Sequence, residues 1–206
     1  MSYQSLDESE FAADPITQYR QWYAEAQARV GSAADALVVA TADAKGVPGV
    51  RVVLLRGISE QGFTFFTNYD SAKGRDLAEN PRAALLSHWH ELNRQVRIRG
   101  RVTRVPAEES VAYWNSRPRA SRLSAWASRQ SETVGSRDQL EAAVAFQHER
   151  FGDDGDVPLP PFWGGYLVTP GDVEFWQHRD DRLHDRLRYR REPAAAGAWV
   201  LERLQP

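Results

Sequence analysis

The sequence predicts a mainly β domain with helices, an α+β chain whose antiparallel strands close into a barrel. Two observations predict it. Short runs of β-branched and aromatic residues, set apart by turn signals, recur on both sides of a helical stretch at about 107–151. The one linker-like segment, Gly152 to Pro161, has strand patterns before and after it, so both sets of strands belong to one sheet. With this many short strands, closure removes exposed edges. A single domain is expected over residues 14–206, preceded by a polar, acidic, flexible tail at 1–13.

The elements follow in order. Asp14-Pro15 supplies an N-cap and a proline at the first helical position, and Ile16, Tyr19, Trp22, Tyr23 and Ala26 recur at helical spacing up to Gly31. ALVVATA from Ala36, VRVVLLR from Val50 and GFTFFT from Gly62 then read as three strands of a meander. A short helix runs from its cap Ser71 to Asn80, and a strand from Ala83 to Trp89. In the next strand Val96, Ile98 and Val102 alternate with Gln95, Arg97, Arg99 and Arg101, which gives one buried and one wet face. The helical section from Ala107 to Phe151 ends in a helix opened by the capping-box pattern Ser136-Arg137-Asp138-Gln139. Strands resume at Gly165 to Thr169, Val173 to Gln177, about Arg182 to Tyr189 and Trp199 to Leu204.

Composition narrows the chemistry. The 206 residues are 42% hydrophobic and 26% charged, a proportion that builds a packed core. With no cysteine there are no disulfides, thiolate metal sites, thiol nucleophiles or iron–sulfur clusters. No apolar run approaches the roughly 20 residues of a membrane span, and the acidic N-terminus differs from a secretory leader, so a cytoplasmic protein is expected. A pI near 6.2 argues against a general nucleic-acid binder. Only two of the 26 lysines and arginines are lysines, Lys45 and Lys73; arginine abundance is therefore a codon habit, and only its placement carries information.

No glycine-rich phosphate loop, HExxH or GxSxG is present, and the His88/His90 pair reads as structural. No metal site is expected. The run Arg182-Leu183-His184-Asp185-Arg186-Leu187-Arg188-Tyr189-Arg190, taken as a strand, places Arg182, His184, Arg186 and Arg188 on one face. A bound dianion would resolve their mutual repulsion; a solvated arginine face partnered by Asp180, Asp181 and Asp185 is the alternative, and both stay open. Tyr113 to Ser121 gathers arginines and hydroxyls at a helix junction, where they suit either a phosphate or a helix C-terminus. Ser71-Ala72-Lys73 at a helix start is a third, weaker anion motif.

These pieces, in this order, resemble the pyridoxine/pyridoxamine 5'-phosphate oxidase family from about Asp14 to Pro206. The specific motifs are RVVLLR at 51–56, FFTN at 65–68, NRQVRIRG at 93–100, SRPR with Ser121, SRQS at 128–131, WGGY at 163–166, and EFWQ followed by RLHDR at 182–186. The resemblance implies a split β-barrel that binds FMN at a homodimer interface, each of two sites built from both chains. Its FMN contacts would be Arg51, Val52, Val53, Leu54, Phe66, Thr67, Lys73, Gln95, Gln130, Ser131, Trp176 and Arg186. Its substrate contacts would be Arg56, Tyr113, Arg117, Ser121, Arg182 and His184, the last two nearest the reacting carbon.

The implied reaction moves a hydride from C4′ of pyridoxine or pyridoxamine 5'-phosphate to flavin N5. It yields pyridoxal 5'-phosphate, and O2 re-oxidises the flavin to give hydrogen peroxide. Five positions depart from the family pattern: Arg56 for lysine, Ala72 for arginine, Asn115 for histidine, and Arg122 and Ser124 for glutamine and glycine. They gather around the phosphate contacts. The alternatives are an oxidase of another substrate on the same scaffold, such as a dihydrophenazine-type intermediate, and a flavin- or pyridoxal-phosphate-binding protein without turnover.

Overall fold

Helix α1, Pro15–Val30, starts where the sequence requires: the Asp14 carboxylate accepts from the N–H groups of Ile16 and Thr17, and the proline behind it needs no partner. The structure, a computed structural model, describes residues 5–153, 155–192 and 198–206. Along one face α1 buries Ile16, Tyr19, Trp22 and Ala26. Tyr19 meets Phe63 edge-on at 4.7 Å and Trp22 meets Phe175 at 5.1 Å, so the helix plugs one side of the sheet.

The strands are β1 (Ala36–Ala42), β2 (Pro48–Leu54), β3 (Gly57–Ser59), β4 (Gly62–Asn68), β5 (Arg82–Trp89), β6 (Arg94–Arg104), β7 (Trp163–Gln177), β8 (Asp185–Arg191) and β9 (Trp199–Arg203). All pairings are antiparallel, in the order β2-β1-β5-β6-β7-β4-β3, with β8 on β7 and β9 on β8. β7 explains the shape. It pairs with β6 along its length; its first half, Trp163 to Val168, takes β4 on the other side, and its second half, Asp172 to Gln177, takes β8. The register shift between Arg99 and Gly100 of β6 bends the pair where β7 changes partners. Val96, Ile98 and Val102 face inward there, with Val168, Val173 and Phe175, as the alternation on β6 predicts.

Helices α2 (Ala72–Glu79), α3 (Ala107–Ser116), α4 (Arg119–Ala127) and α5 (Arg137–Phe151) complete the fold. A smaller core of Trp114, Leu123, Val157 and Trp163 lies beneath α3 and α4. The α5 cap is Ser136, which accepts from the Gln139 N–H; the reciprocal bond goes one residue astray, since Gln139 Oε1 accepts from Gly135 instead.

The structure corrects several expectations. The meander stops after two strands: among the described residues β2 pairs only with β1, and β4 forms a hairpin with the unpredicted β3 before joining β7. The two strands expected at 165–169 and 173–177 are one strand, because the bulge absorbs Pro170-Gly171 without ending it. The helical section is three helices, with 128–136 non-helical. The basic strand begins at Asp185, not Arg182. Before it, the Asp181 carboxylate accepts from the Leu183 N–H, His184 Nδ1 accepts from the Arg179 N–H, and Arg182 sits at φ 62°. These local side-chain bonds outcompete a ladder that has no partner there.

Within the expected tail, residues 1–4 lie outside the described residues, and residues 5–13 are held down. Leu6 and Phe11 pack on the core, and Arg203 grips the Glu8 carboxylate at 2.7 and 2.9 Å and the Leu6 carbonyl at 2.6 Å. Acidic composition hid these apolar anchors, and Phe11 packs against Trp22 of α1 as well as against Phe175 and Tyr189 far along the chain.

Candidate functional site

Edge strand β2, strand β4, the start of α2, helices α3 and α4 and the segment 128–131 enclose a cavity of about 520 Å3. At one end lies Lys73, only 6% exposed. Ser71 caps α2 and so fixes the turn that carries it. The Lys73 ammonium donates to Thr67 Oγ1 at 3.0 Å, Ser71 Oγ at 3.1 Å and Gln130 Oε1 at 2.8 Å. None is an anion. Burial first, and then the neighbouring Arg51 charge, lower its pKa from 10.5 to about 8 against the opposing pull of Asp76. Arg51 folds back on β1, donating to Thr41 Oγ1 at 2.6 Å, with Asp76 at 3.7 Å. Ala72, at the cavity wall, adds no charge.

The aromatic wall comes from β4, α3 and β7. Tyr113 stacks on Phe66 at 4.0 Å, and Trp163 lies parallel to both rings. The glycines of WGGY make this possible: a Cβ on Gly165 would come within 2.8 Å of Phe66 Cε1, and one on Gly164 within 2.1 Å of the Tyr69 hydroxyl. Arg117 spreads its guanidinium 4.6 Å over Trp163 and donates Nη2 to the Ser121 carbonyl at 3.1 Å. Its Nη1 is buried without a hydrogen-bond partner, and burial lowers its pKa. Among the described residues neither Lys73 nor Arg117 has a carboxylate within ion-pair distance. Arg56 differs, since Asp35 holds its Nη1 at 2.6 Å and the Tyr113 hydroxyl accepts from its Nε at 2.9 Å. Burial alone would lower the Arg56 pKa; the bonds to Tyr113 and Asp35 outweigh it and raise the pKa.

The cavity thus gathers Arg51, Val52, Val53, Leu54, Arg56, Phe66, Thr67, Lys73, Tyr113, Arg117, Gln130 and Ser131, with Ser121 beside it through Arg117. Both faces of β2 contribute, Arg51 and Val53 from the half-buried face and Val52 and Leu54 from the exposed one. Asn68, Ala125, Ser128 and Trp163 also line it and were not singled out. Three of them stand inside motifs already noted, FFTN, SRQS and WGGY, which was the available signal.

Gln95, Trp176, Arg182, His184 and Arg186 do not line this cavity. Cross-strand pairing sets Gln95 and Arg186 on either side of Trp176, and the His184 ring lies 4.8 Å from the Trp176 ring. Arg186 is engaged with Glu174 at 2.8 Å and the Gln205 carbonyl at 2.8 Å, so its charge is already paired. The Arg182 side chain is exposed in the turn before β8. One chain therefore carries two separate groups of site residues.

Comparison with known proteins identifies the family. A family model described as pyridoxamine 5'-phosphate oxidase matches residues 17–147, and one described as the pyridoxine 5'-phosphate oxidase C-terminal dimerisation region matches residues 163–206. Pyridoxine/pyridoxamine 5'-phosphate oxidase of Burkholderia multivorans is 52% identical over 202 residues, covering 98% of this chain and 94% of its own. The enzyme of that name from Salinibacter ruber is 51% identical over 193 residues, covering 94% and 89%. Among solved structures, PhzG from Burkholderia lata 383, in complex with tetrahydrophenazine-1-carboxylic acid, superposes with a TM-score of 0.90 at 32% identity over the full length of both chains. A pyridoxamine 5'-phosphate oxidase-related, FMN-binding protein of Nostoc punctiforme shares the fold, with a TM-score of 0.73 at 20% identity over 95% of this chain and all of its own. The two matched regions lie on either side of the 148–162 connection and between them hold every predicted site residue, and with these identities they establish that the chain belongs to the pyridoxamine 5'-phosphate oxidase family of flavin-dependent oxidases, whose cofactor is FMN.

Proposed function

We propose that this chain is an FMN-dependent oxidase of pyridoxine or pyridoxamine 5'-phosphate, working as a homodimer with O2 as electron acceptor. The observation that carries the reading is that one cavity holds buried Lys73 and half-buried Arg117, whose Nη1 is buried without a partner, neither with a carboxylate within ion-pair distance among the described residues, beside a stack of flat rings. A buried charge without a counter-ion is costly unless a ligand supplies one. Two phosphorylated aromatic ligands match that demand.

FMN fits the donor set at the Lys73 end: Lys73, Arg51, Thr67, Gln130 and Ser131 offer cations and neutral donors to a phosphate. When bound, FMN supplies the redox chemistry, accepting a hydride from C4′ of the substrate and returning two electrons to O2 as hydrogen peroxide. Arg117, supported by Ser121 and Tyr113, holds the substrate phosphate, and its rigid guanidinium over Trp163 fixes where the pyridine ring lies. His184 and Arg182 serve the reacting end. With the Arg179 N–H donated to His184 Nδ1, the neutral imidazole carries its proton on Nε2, which can then donate to a ligand.

The second group of residues reaches a flavin only from a partner subunit. Support comes from the exposed apolar stripe Val50, Val52 and Leu54, which runs along the edge strand that borders the cavity, and from the match to a dimerisation region over 163–206. A second reading rests on the likeness to PhzG, an enzyme crystallised with a carboxylated tricycle: an anionic substrate without phosphate would meet the same Arg117. Peroxide release decides between them. Turnover of pyridoxine or pyridoxamine 5'-phosphate by the yellow protein is expected; failure with both, alongside oxidation of a dihydro-tricyclic carboxylate, would establish the second reading. Tight FMN binding without turnover of either would leave a binding protein.

A further inference from the structure

The Arg56 guanidinium does not enter the cavity as a free arm. Its Nη1 donates to Asp35 Oδ2 at 2.6 Å and to the Leu55 carbonyl at 3.1 Å, and its Nε donates to the Tyr113 hydroxyl at 2.9 Å. Asp35 is itself fixed: its other oxygen, Oδ1, accepts from the Tyr23 hydroxyl at 2.6 Å, and Gln27 donates to that hydroxyl at 3.0 Å. The backbone around it is also pinned, since the Asp35 carbonyl accepts from the Leu55 N–H and the preceding Ala34 carbonyl from the buried Trp89 indole. A chain of polar contacts therefore runs from α1 through Asp35 to the cavity wall. The Tyr23 pKa is raised to about 12, chiefly by burial and by the bond to Asp35, so the hydroxyl stays a donor at any working pH.

Lysine would not need this arrangement. An ammonium on a flexible stem finds an anion as a point charge, whereas a planar guanidinium must be oriented before its fork meets an oxygen edge-on. Resting on the proposed oxidase reading, we infer that Asp35, seated by Tyr23, is a positioning residue: it turns Arg56 so that Nη2, which has no protein partner among the described residues, meets the anionic group of the substrate beside Tyr113. Asp35 touches neither ligand. Its carboxylate also offsets the Arg56 charge, so the contact contributes orientation more than attraction, and Arg117 carries the main anion binding.

The test is a double-mutant cycle of Asp35→Asn and Arg56→Lys, read as KM and kcat for the phosphorylated substrate and as the dissociation constant for FMN. With Arg56 in place, Asp35→Asn raises KM about tenfold, with kcat and FMN affinity little changed, the size of a coupled contact. In the Arg56→Lys background the same substitution moves KM less than twofold. A merely structural role for Asp35 would raise KM, or lower thermal stability and flavin retention, equally in both backgrounds, and that result overturns the inference. Should Asp35→Asn fold poorly, Tyr23→Phe enters the same cycle, with a smaller rise in KM that again disappears in the Arg56→Lys background. Wild-type protein that turns over no phosphorylated vitamer defeats the oxidase reading instead; turnover without coupling between the two positions defeats only the role of Asp35.

Discussion

Lys73 gives the sharpest quantitative expectation. Replacing it by methionine keeps the stem and removes the ammonium. In the flavin-free protein the Lys73 pKa lies at about 8, against 10.5 when unhindered. A base with a folded pKa below its unfolded one binds fewer protons folded than unfolded in that window, so stability rises as pH climbs from about 8 toward 10.5. The displacement corresponds to about 3 kcal/mol. Urea unfolding of wild-type and Lys73→Met apoprotein, at one fixed protein concentration, should show the wild type gaining about 2–3 kcal/mol relative to the variant between about pH 7 and 10. The same variant should bind FMN about 10- to 150-fold more weakly at neutral pH, as the loss of a charge-assisted bond costs about 1.5–3 kcal/mol. Flavin fluorescence quenching measures it. An FMN affinity altered less than threefold, together with identical pH dependence in both proteins, would refute the assignment of Lys73 to the flavin phosphate.

Three further outcomes follow from the same geometry. FMN affinity of the wild type should be level between about pH 7 and 8, above the phosphate's own titration at about pH 6, and then weaken by up to tenfold per pH unit, because the anion needs Lys73 charged and the free ammonium loses its proton there; Lys73→Met should lack this break. Val52 is 63% exposed on the open edge strand, so Val52→Glu should leave the subunit folded but weaken dimerisation about 100-fold by burying a charge, seen by light scattering as a concentration-dependent monomer; an unchanged dimer would place the interface elsewhere. Arg182→Ala should remain a yellow dimer whose kcat/KM for pyridoxine 5'-phosphate falls about 100-fold, whereas Arg186→Ala should lose both flavin and thermal stability, since buried Glu174 then keeps only Arg97. Normal turnover by Arg182→Ala would reduce that side chain to a solvated arginine.

The local signals were legible in the sequence alone. Asp14-Pro15, Ser71 and Ser136 cap helices because short polar side chains satisfy free N–H groups wherever a helix starts. The period-two run on β6 faces inward as written. Motif order alone was enough to suggest the family and to name most of the cavity lining. What the sequence could not decide is which strand pairs with which: β4 follows β2 after only the short β3 but joins β7 a hundred residues later, because the bulge in β7 gives that strand two partners in turn. Nor could a period decide where β8 begins, since the bonds made by Asp181 and His184 keep residues 182–184 out of the strand. The packing of residues 5–13 is hidden for the same reason, since Phe11 meets Phe175 and Tyr189 as well as Trp22, and Arg203 holds the Leu6 carbonyl. Tertiary structure alone also revealed that the cavity residues and the Trp176 group stand apart within one subunit, and that Asp35 reaches Arg56 across 21 positions. Capping and alternation depend on neighbours a few residues away, which a sequence displays. Strand pairing, charge pairing and burial depend on what folding brings together from distant parts of the sequence, and those are decided only when the chain closes.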